Sequence, residues 1–261
     1  MTDDPLPSFF LSHGAPTLSL DPGATGAFWQ RLALELPRPK ALLCVSAHWM
    51  TEEPAASAPL RNDTIHDFSG FPEPLYRMTY PAPGAPELAR RTAALLKEAG
   101  IACAIDSKRG LDHGAWVPLR LMYPAADIPT IQLSIQPRRD AAWHHRLGAA
   151  LAPLPQEGVL MLASGGAVHN LRTVSWEGGG APAWAKEFDD WLASALAEGR
   201  EAELLDWTHR APHARMAQPS PDHFLPLFVA LGAAGAGARG TRLHEGFTLG
   251  SLSMAAFQFA A

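Results

Sequence analysis

The chain has 261 residues, 47% of them hydrophobic, enough for one large domain or two small ones with a substantial core. Its formal net charge of −5 and the lack of any long Lys/Arg run argue against a nucleic-acid or anionic-membrane partner, since either calls for a basic face. The acidic start Met1-Thr-Asp-Asp is no secretory leader, and no apolar run approaches the ~20 residues that span a bilayer, which points to a cytoplasmic protein.

Taken in order, short apolar runs alternate with amphipathic ones. Ser8–Leu11 reads as a first strand, Gly26–Leu36 as a helix with Phe28, Leu32 and Leu36 on one face, and Ala41–Ala47 as a second strand. Thr51–Pro86 is rich in Pro, Gly and Asp and has no sustained period, so it reads as a long ordered loop with one short strand, the kind that serves as a lid or binding loop. Glu87–Ala99 is a helix ended by Gly100, and Ile101–Ile105 is a strand. Ile128–Ile135 and Val159–Ala163 continue the strand series, with helices over Asp140–Leu151 and Trp184–Leu196. Gly178–Pro182 and Gly232–Gly240 read as small-residue connections, and Arg239–His244 and Leu252–Phe259 as closing strands. This alternation predicts a single α/β domain over residues 1–261, a largely parallel central sheet covered by helices, with the active site at the carboxyl ends of the strands. Cys44 and Cys103 fall in segments that read as buried strands, two thiols without the close spacing of a zinc-thiolate site. Any metal must be held by nitrogen and oxygen.

The 11 histidines are informative through their positions. His13 follows the first strand, His48 the second, and His169 the Val159–Ala163 strand. In a parallel sheet these three ends lie on one side and open into one crevice. His223 sits at the start of a helix and His113 in the turn ahead of another. Imidazole suits zinc, iron and copper, and three protein ligands leave room for substrate. A single histidine at a strand end is more often a satisfied polar residue, and His66 reads as loop packing. His144, His145, His209, His213 and His244 read as solvent-facing.

Six motifs stand in order: Ser12-His-Gly, Ser46-Ala-His-Trp, Ile65-His-Asp-Phe, Leu111-Asp-His-Gly-Ala-Trp, Gly165-Gly-Ala-Val-His-Asn and Pro221-Asp-His-Phe-Leu-Pro. In them the chain resembles, from about Leu11 to Met254, the DOPA-dioxygenase group of class III extradiol ring-cleavage dioxygenases. The resemblance implies that His13, His48 and His223 are metal ligands. It gives His169 an acid–base role with a possible share in ligation, and His113 a contact to substrate or oxygen. The wider superfamily uses two histidines and a carboxylate, whereas here the third position is His223 with Asp222 beside it.

The implied reaction opens a catechol, 3,4-dihydroxyphenylalanine (DOPA) or a related 3,4-dihydroxyphenyl compound cut at the 4,5-bond. It takes O2 as co-substrate and Fe(II) as the active metal, with Zn(II) able to occupy the same site. Histidine, with an unperturbed pKa near ~6.5, suits the proton transfers. For a substrate head group Arg77, Lys108 and Arg172 are candidates, and none is assigned. The bare histidine pattern also permits a zinc-dependent hydrolase, or a non-enzymatic metal-binding interaction protein of the same fold. Neither a membrane nor a nucleic acid is expected as partner, and the expected state is a monomer or small homo-oligomer.

Overall fold

The computed structural model describes residues 5–260; the acidic start Met1–Asp4 lies outside them. Eight strands form one sheet. They are β1 (Ser8–Ser12), β2 (Ala41–Met50), β3 (Ala55–Ser57), β4 (Ala104–Asp106), β5 (Thr130–Ile135), β6 (Val159–Gly165), β7 (Arg239–His244) and, after the ribbon of β8 (Phe247–Thr248) and β9 (Leu252–Ser253), β10 (Ala256–Ala260). The order across the sheet is β4-β3-β5-β2-β6-β1-β10-β7. The centre, β5-β2-β6-β1, is parallel throughout, while β3 joins β5, and β10 joins β1 and β7, antiparallel.

A parallel sheet with crossover helices is buried on both faces, so its strands need apolar side chains in both directions. Phe10, Leu43, Val45, Ile131, Leu133 and Met161 enter one core, with Leu95, Leu147, Phe188, Leu192 and Phe228 from helices Pro86–Glu98, Ala141–Ala149, Ala183–Glu198 and Leu225–Ala233. Their neighbours Phe9, Leu11, Leu42, Cys44, Leu160 and Leu162 enter the other, against Phe28, Trp29 and Leu32 of helix Gly23–Glu35 and Trp116 and Leu119 of helix His113–Met122. The result is helix–sheet–helix layering. No helix among the described residues is long and apolar enough to cross a membrane.

Several expected boundaries move. The run Ile101–Ile105 is not a buried strand: only β4 forms, at the sheet edge, leaving Ile105 exposed and Cys103 half-buried just before it. Cys44 is buried in β2, two strands lie between it and β4, and both thiols are free. Leu252–Phe259 is split, because β9 pairs with β8 and only β10 joins the main sheet. Gly232 and Ala233 complete a helix rather than begin a linker, because that helix is apolar all round and buried between neighbours. The long loop contains β3 and one helical turn, Pro74–Arg77. Gly100 closes its helix as expected, at φ 75° with its N–H on the Lys97 carbonyl.

Candidate metal centre

Strand register brings the first histidines together. Leu11 of β1 and Ser46 of β2 both pair with Ser164 of β6. His13 and His48 each lie two residues further on, so the period of two points both to the face covered by helix His113–Met122. That helix begins at His113, with Asp112 as its N-cap. Its second residue must be glycine, because a Cβ on Gly114 would stand 2.5 Å from Ser46 Oγ and 3.0 Å from the His48 ring. His223 arrives from the far end of the chain and docks on the end of β6, where Gly166 N–H donates to its carbonyl at 2.8 Å. Gly165 leaves the room, since a Cβ there would meet that carbonyl oxygen at 2.0 Å. His169 is fixed by its N–H on the Ala217 carbonyl, 2.9 Å.

The direction of each ring follows from its Nδ1. Ser164 Oγ donates its proton to the Gly114 carbonyl, which leaves it to accept from His13 Nδ1 at 2.9 Å. His48 Nδ1 lies 3.4 Å from Asp67 Oδ2, and Asp222 Oδ2 accepts from His223 Nδ1 at 2.5 Å. With protons on these three Nδ1 atoms, the Nε2 atoms carry lone pairs. Yet His48 Nε2 is 3.0 Å from that of His13 and 3.3 Å from that of His223. His48 Nε2 thus stands between two other acceptors in a buried place, an arrangement that repels unless a cation sits beside it, and an oriented Nδ1–H is how ligating histidines are held. The donor set therefore fits a divalent metal that accepts imidazole.

His13, His48 and His113 each offer a ring nitrogen within 4.8 Å of the others, a grouping that leaves His223 out, so His113 and His223 approach the pair from two sides. The His113 ring stands edge-on to His13 and lies 4.0 Å, centroid to centroid, from that of His48. Its Nδ1 is 3.0 Å from Asp67 Oδ1, off the line of a straight hydrogen bond, and its backbone N–H donates to the same oxygen. His169 stacks flat on His223, with centroids 3.5 Å apart and planes 5° from parallel.

Burial and the crowd of imidazoles hold His13 and His48 well below the usual histidine range, and burial and His223 bring His169 to about 3. Asp67 goes the other way from a buried acid. Burial alone raises a carboxyl, but His113 and His48 beside it bring it down to about 2. His13, His48 and His169 are thus held as neutral imidazoles, with the Asp67 carboxylate beside His48.

Above this floor opens a cavity of about 700 Å3. Residues 14–17 form one wall and Phe68–Pro72 of the long loop another, while Leu171, Val174, Trp176, Leu249 and Leu252 complete it. Leu249 is held at φ 49°, a strained position for a residue with a Cβ.

Residues 7–258 match the family described as the catalytic LigB subunit of aromatic ring-opening dioxygenase. The chain belongs to that family. It is an extradiol ring-opening dioxygenase. A Beta vulgaris protein named 4,5-DOPA dioxygenase extradiol is 44% identical over 258 residues, 97% of this chain and 96% of its own. An Escherichia coli (strain K12) protein of the same name is 42% identical over 262 residues, 99% and 96% of the two chains. The crystal structure of an uncharacterised Escherichia coli K12 protein has the same fold, with TM-score 0.79 and 38% identity over 97% of this chain and 99% of that one.

All five expected site histidines of this dioxygenase thus line one cavity. His66 is packing, as read from the sequence: its Nε2 lies 3.0 Å from the Met78 carbonyl and its ring is set among Phe68, Tyr76 and Trp116. The three cationic candidates stay outside the cavity, Arg77 on Glu73 and Lys108 and Arg172 in exposed turns.

The solvent-facing reading holds for His209 and His213, which pair with Asp206 and Glu187. It fails for three others. His144 is fully buried, because its ring replaces water with backbone: Nδ1 donates to the Asp140 carbonyl at 2.8 Å and Nε2 accepts from Gln136 N–H at 3.2 Å. His145 is half-buried 4.0 Å from Glu201, and half-buried His244 stacks on Phe28 and reaches Thr25 Oγ1 at 3.0 Å.

Sequence reasoning gave no role to Asp67, Ser164 or Trp176. Asp67 lay inside a quoted motif, but nothing local to Ile65-His-Asp-Phe says that its carboxylate is shared between two distant histidines.

Proposed function

We propose that the whole chain acts as one catalytic domain that cleaves DOPA or a related 3,4-dihydroxyphenyl compound at the 4,5-bond with O2. The reaction takes place at a mononuclear non-haem metal held by the Nε2 atoms of His13, His48 and His223. The approach of the His13 and His223 Nε2 atoms to that of His48, each ring with its Nδ1 tied off, carries this reading. The names of the relatives support the ring type. When bound, a ferrous ion supplies the redox relay between catechol and O2 that closed-shell zinc lacks.

The chain's own groups do the rest. Ser164, Asp67 and Asp222 fix the three ligand rings. His169, neutral because it is buried against His223, accepts a catechol hydroxyl proton on a ring nitrogen and later returns it to the oxygen that is cut free. Its flat stack on His223 favours this role over ligation, because in-plane lone pairs of parallel rings do not converge. His113, oriented by Asp67, faces the cavity beside the metal position and contacts substrate or oxygen.

The test is reconstitution of metal-stripped protein under anaerobic conditions, once with Fe(II) and ascorbate and once with Zn(II), followed by oxygen uptake with DOPA. Zinc stands above ferrous iron in affinity order, so both ions should load. Only the ferrous protein should consume oxygen and form a yellow ring-opened product. A zinc form as active on catechols as the ferrous form overturns the redox reading. Ester hydrolysis by the zinc form, with no oxygen uptake by either, replaces it with the hydrolase.

A further inference from the structure

The cavity has two chemically distinct ends. Its floor is five histidines, buried or half-buried. Its mouth is dominated by Phe71, Leu171, Val174, Trp176, Leu249 and Leu252, with Thr17 and Ser69 as polar side chains besides the histidines, and no Lys, Arg, Asp or Glu among the described residues lines it. A catechol whose two hydroxyls face the floor must point the substituent at the opposite end of its ring towards this apolar mouth. At about 700 Å3 the space is of the size that encloses a drug-sized ligand, more than a catechol with a short amino-acid head requires.

The mouth also bears an apolar surface left open to water. Trp176 is 70% exposed and Leu171 63%, both on the loop between β6 and helix Ala183–Glu198. The stem of this loop is not loose. Ser175 N–H donates to the Leu249 carbonyl at 2.9 Å, and Thr173 Oγ1 lies 2.9 Å from Ser251 Oγ. A large aromatic side chain held in water on a fixed stem, at the rim of an apolar cavity, is a contact surface awaiting an apolar group. Leu249, which anchors that stem, is the wall residue held at positive φ.

We infer that this cavity selects neutral catechols carrying an extended apolar substituent, with Trp176, Leu171 and Leu249 as the residues that read it, rather than a zwitterionic amino-acid head. The inference rests on the reading that the chain cleaves a 3,4-dihydroxyphenyl ring. An ammonium and a carboxylate against these walls are stripped of water without an oppositely charged partner, or stay at the rim and add nothing to binding. Each methylene buried instead raises kcat/KM by roughly fourfold.

The experiment measures oxygen uptake by the ferrous enzyme on two substrate sets. One is 4-alkylcatechols from methyl to butyl. The other is a matched pair, DOPA and its N-acetyl ethyl ester, which share the ring and differ in charge and apolar bulk. The expected result is a kcat/KM that rises along the alkyl series and favours the neutral ester over DOPA by about tenfold or more. Trp176→Ala should flatten the alkyl series, losing more on butylcatechol than on methylcatechol. A flat series in the unaltered enzyme overturns the inference. So does a preference for DOPA over its ester, and if Arg172→Ala abolishes that preference, a rim cation reads the head group. Absence of oxygen uptake with every catechol defeats the ring-cleavage reading itself, a result distinct from either of these.

Discussion

His144 and the histidines of the cavity floor are alike in being taken out of water, and they differ in where the second ring nitrogen points. In His144 both nitrogens end on backbone, one donating and one accepting, so the ring is a complete hydrogen-bonded brace between β5 and the helix after it. In His13, His48 and His223 the Nδ1 atoms are provided for, while the Nε2 atoms are turned on one another at 3.0 and 3.3 Å. Burial therefore does not mark a ligand. The proposed ligands are distinguished instead by an Nε2 fixed as an acceptor and facing another acceptor, an arrangement that a cation relieves.

Replacing members of the two regions should separate them by size and kind of effect. The largest difference among variants that keep the metal is expected at His169. His169→Gln should retain most of the bound metal and lose about 10²–10⁴-fold in turnover, the usual worth of general acid–base catalysis. Metal analysis beside oxygen uptake checks it, and loss of the metal would make His169 a ligand.

Asp67 should come next. Its carboxylate is shared by His48 and His113, and with its pKa near 2 it is ionised throughout the working pH range. Asp67→Asn should lower metal affinity or activity by about 10–100-fold, as removal of a group that orients a ligating histidine does. A metal titration monitored alongside turnover distinguishes the two routes. An unchanged affinity together with an unchanged rate would mean that the two rings are held by packing alone.

His144→Gln should do the least to turnover and show itself in stability. Burial holds His144 at about 4, whereas the unfolded chain restores a value near ~6.5. Between these the folded protein binds fewer protons than the unfolded, so the contribution is complete above the unfolded value and is lost as pH falls towards 4. From pH 7 to pH 5 it should cost the folded state about 2 kcal/mol, and the Gln variant should lack that part of the slope. Urea unfolding of the metal-free proteins at the two pH values measures it. Equal slopes would mean that His144 is protonated in place.

The sequence made the strand ends legible because fully buried parallel strands are short apolar runs that stop abruptly, and His13, His48 and His169 stand at or near those stops. His113 and His223 took their roles from motif resemblance, since a histidine at a helix start is ordinary by itself. Asp67 and Trp176 were not legible. They lie in irregular segments where no period fixes the direction of a side chain, and what they face, His48 and His113 for Asp67 and the cavity for Trp176, comes from segments distant in sequence. His144 was misread for the opposite reason. A polar residue in an amphipathic helix is expected outside, and the backbone groups that satisfy it belong to the preceding turn and to the end of β5. The edge position of β4 was hidden too, because an apolar run does not reveal whether a sheet will cover it.

Which histidines hold the metal is the decisive question, since His113 and His223 both approach the pair His13–His48. Metal content and Fe(II) affinity of His223→Ala and His113→Ala, measured side by side on the folded proteins, decide between them. His223→Ala should lose the ion, and His113→Ala should keep one per chain while turning over slowly. A His113→Ala protein that cannot hold iron, beside a His223→Ala protein that can, would contradict the assignment and move the metal to the other side of His48.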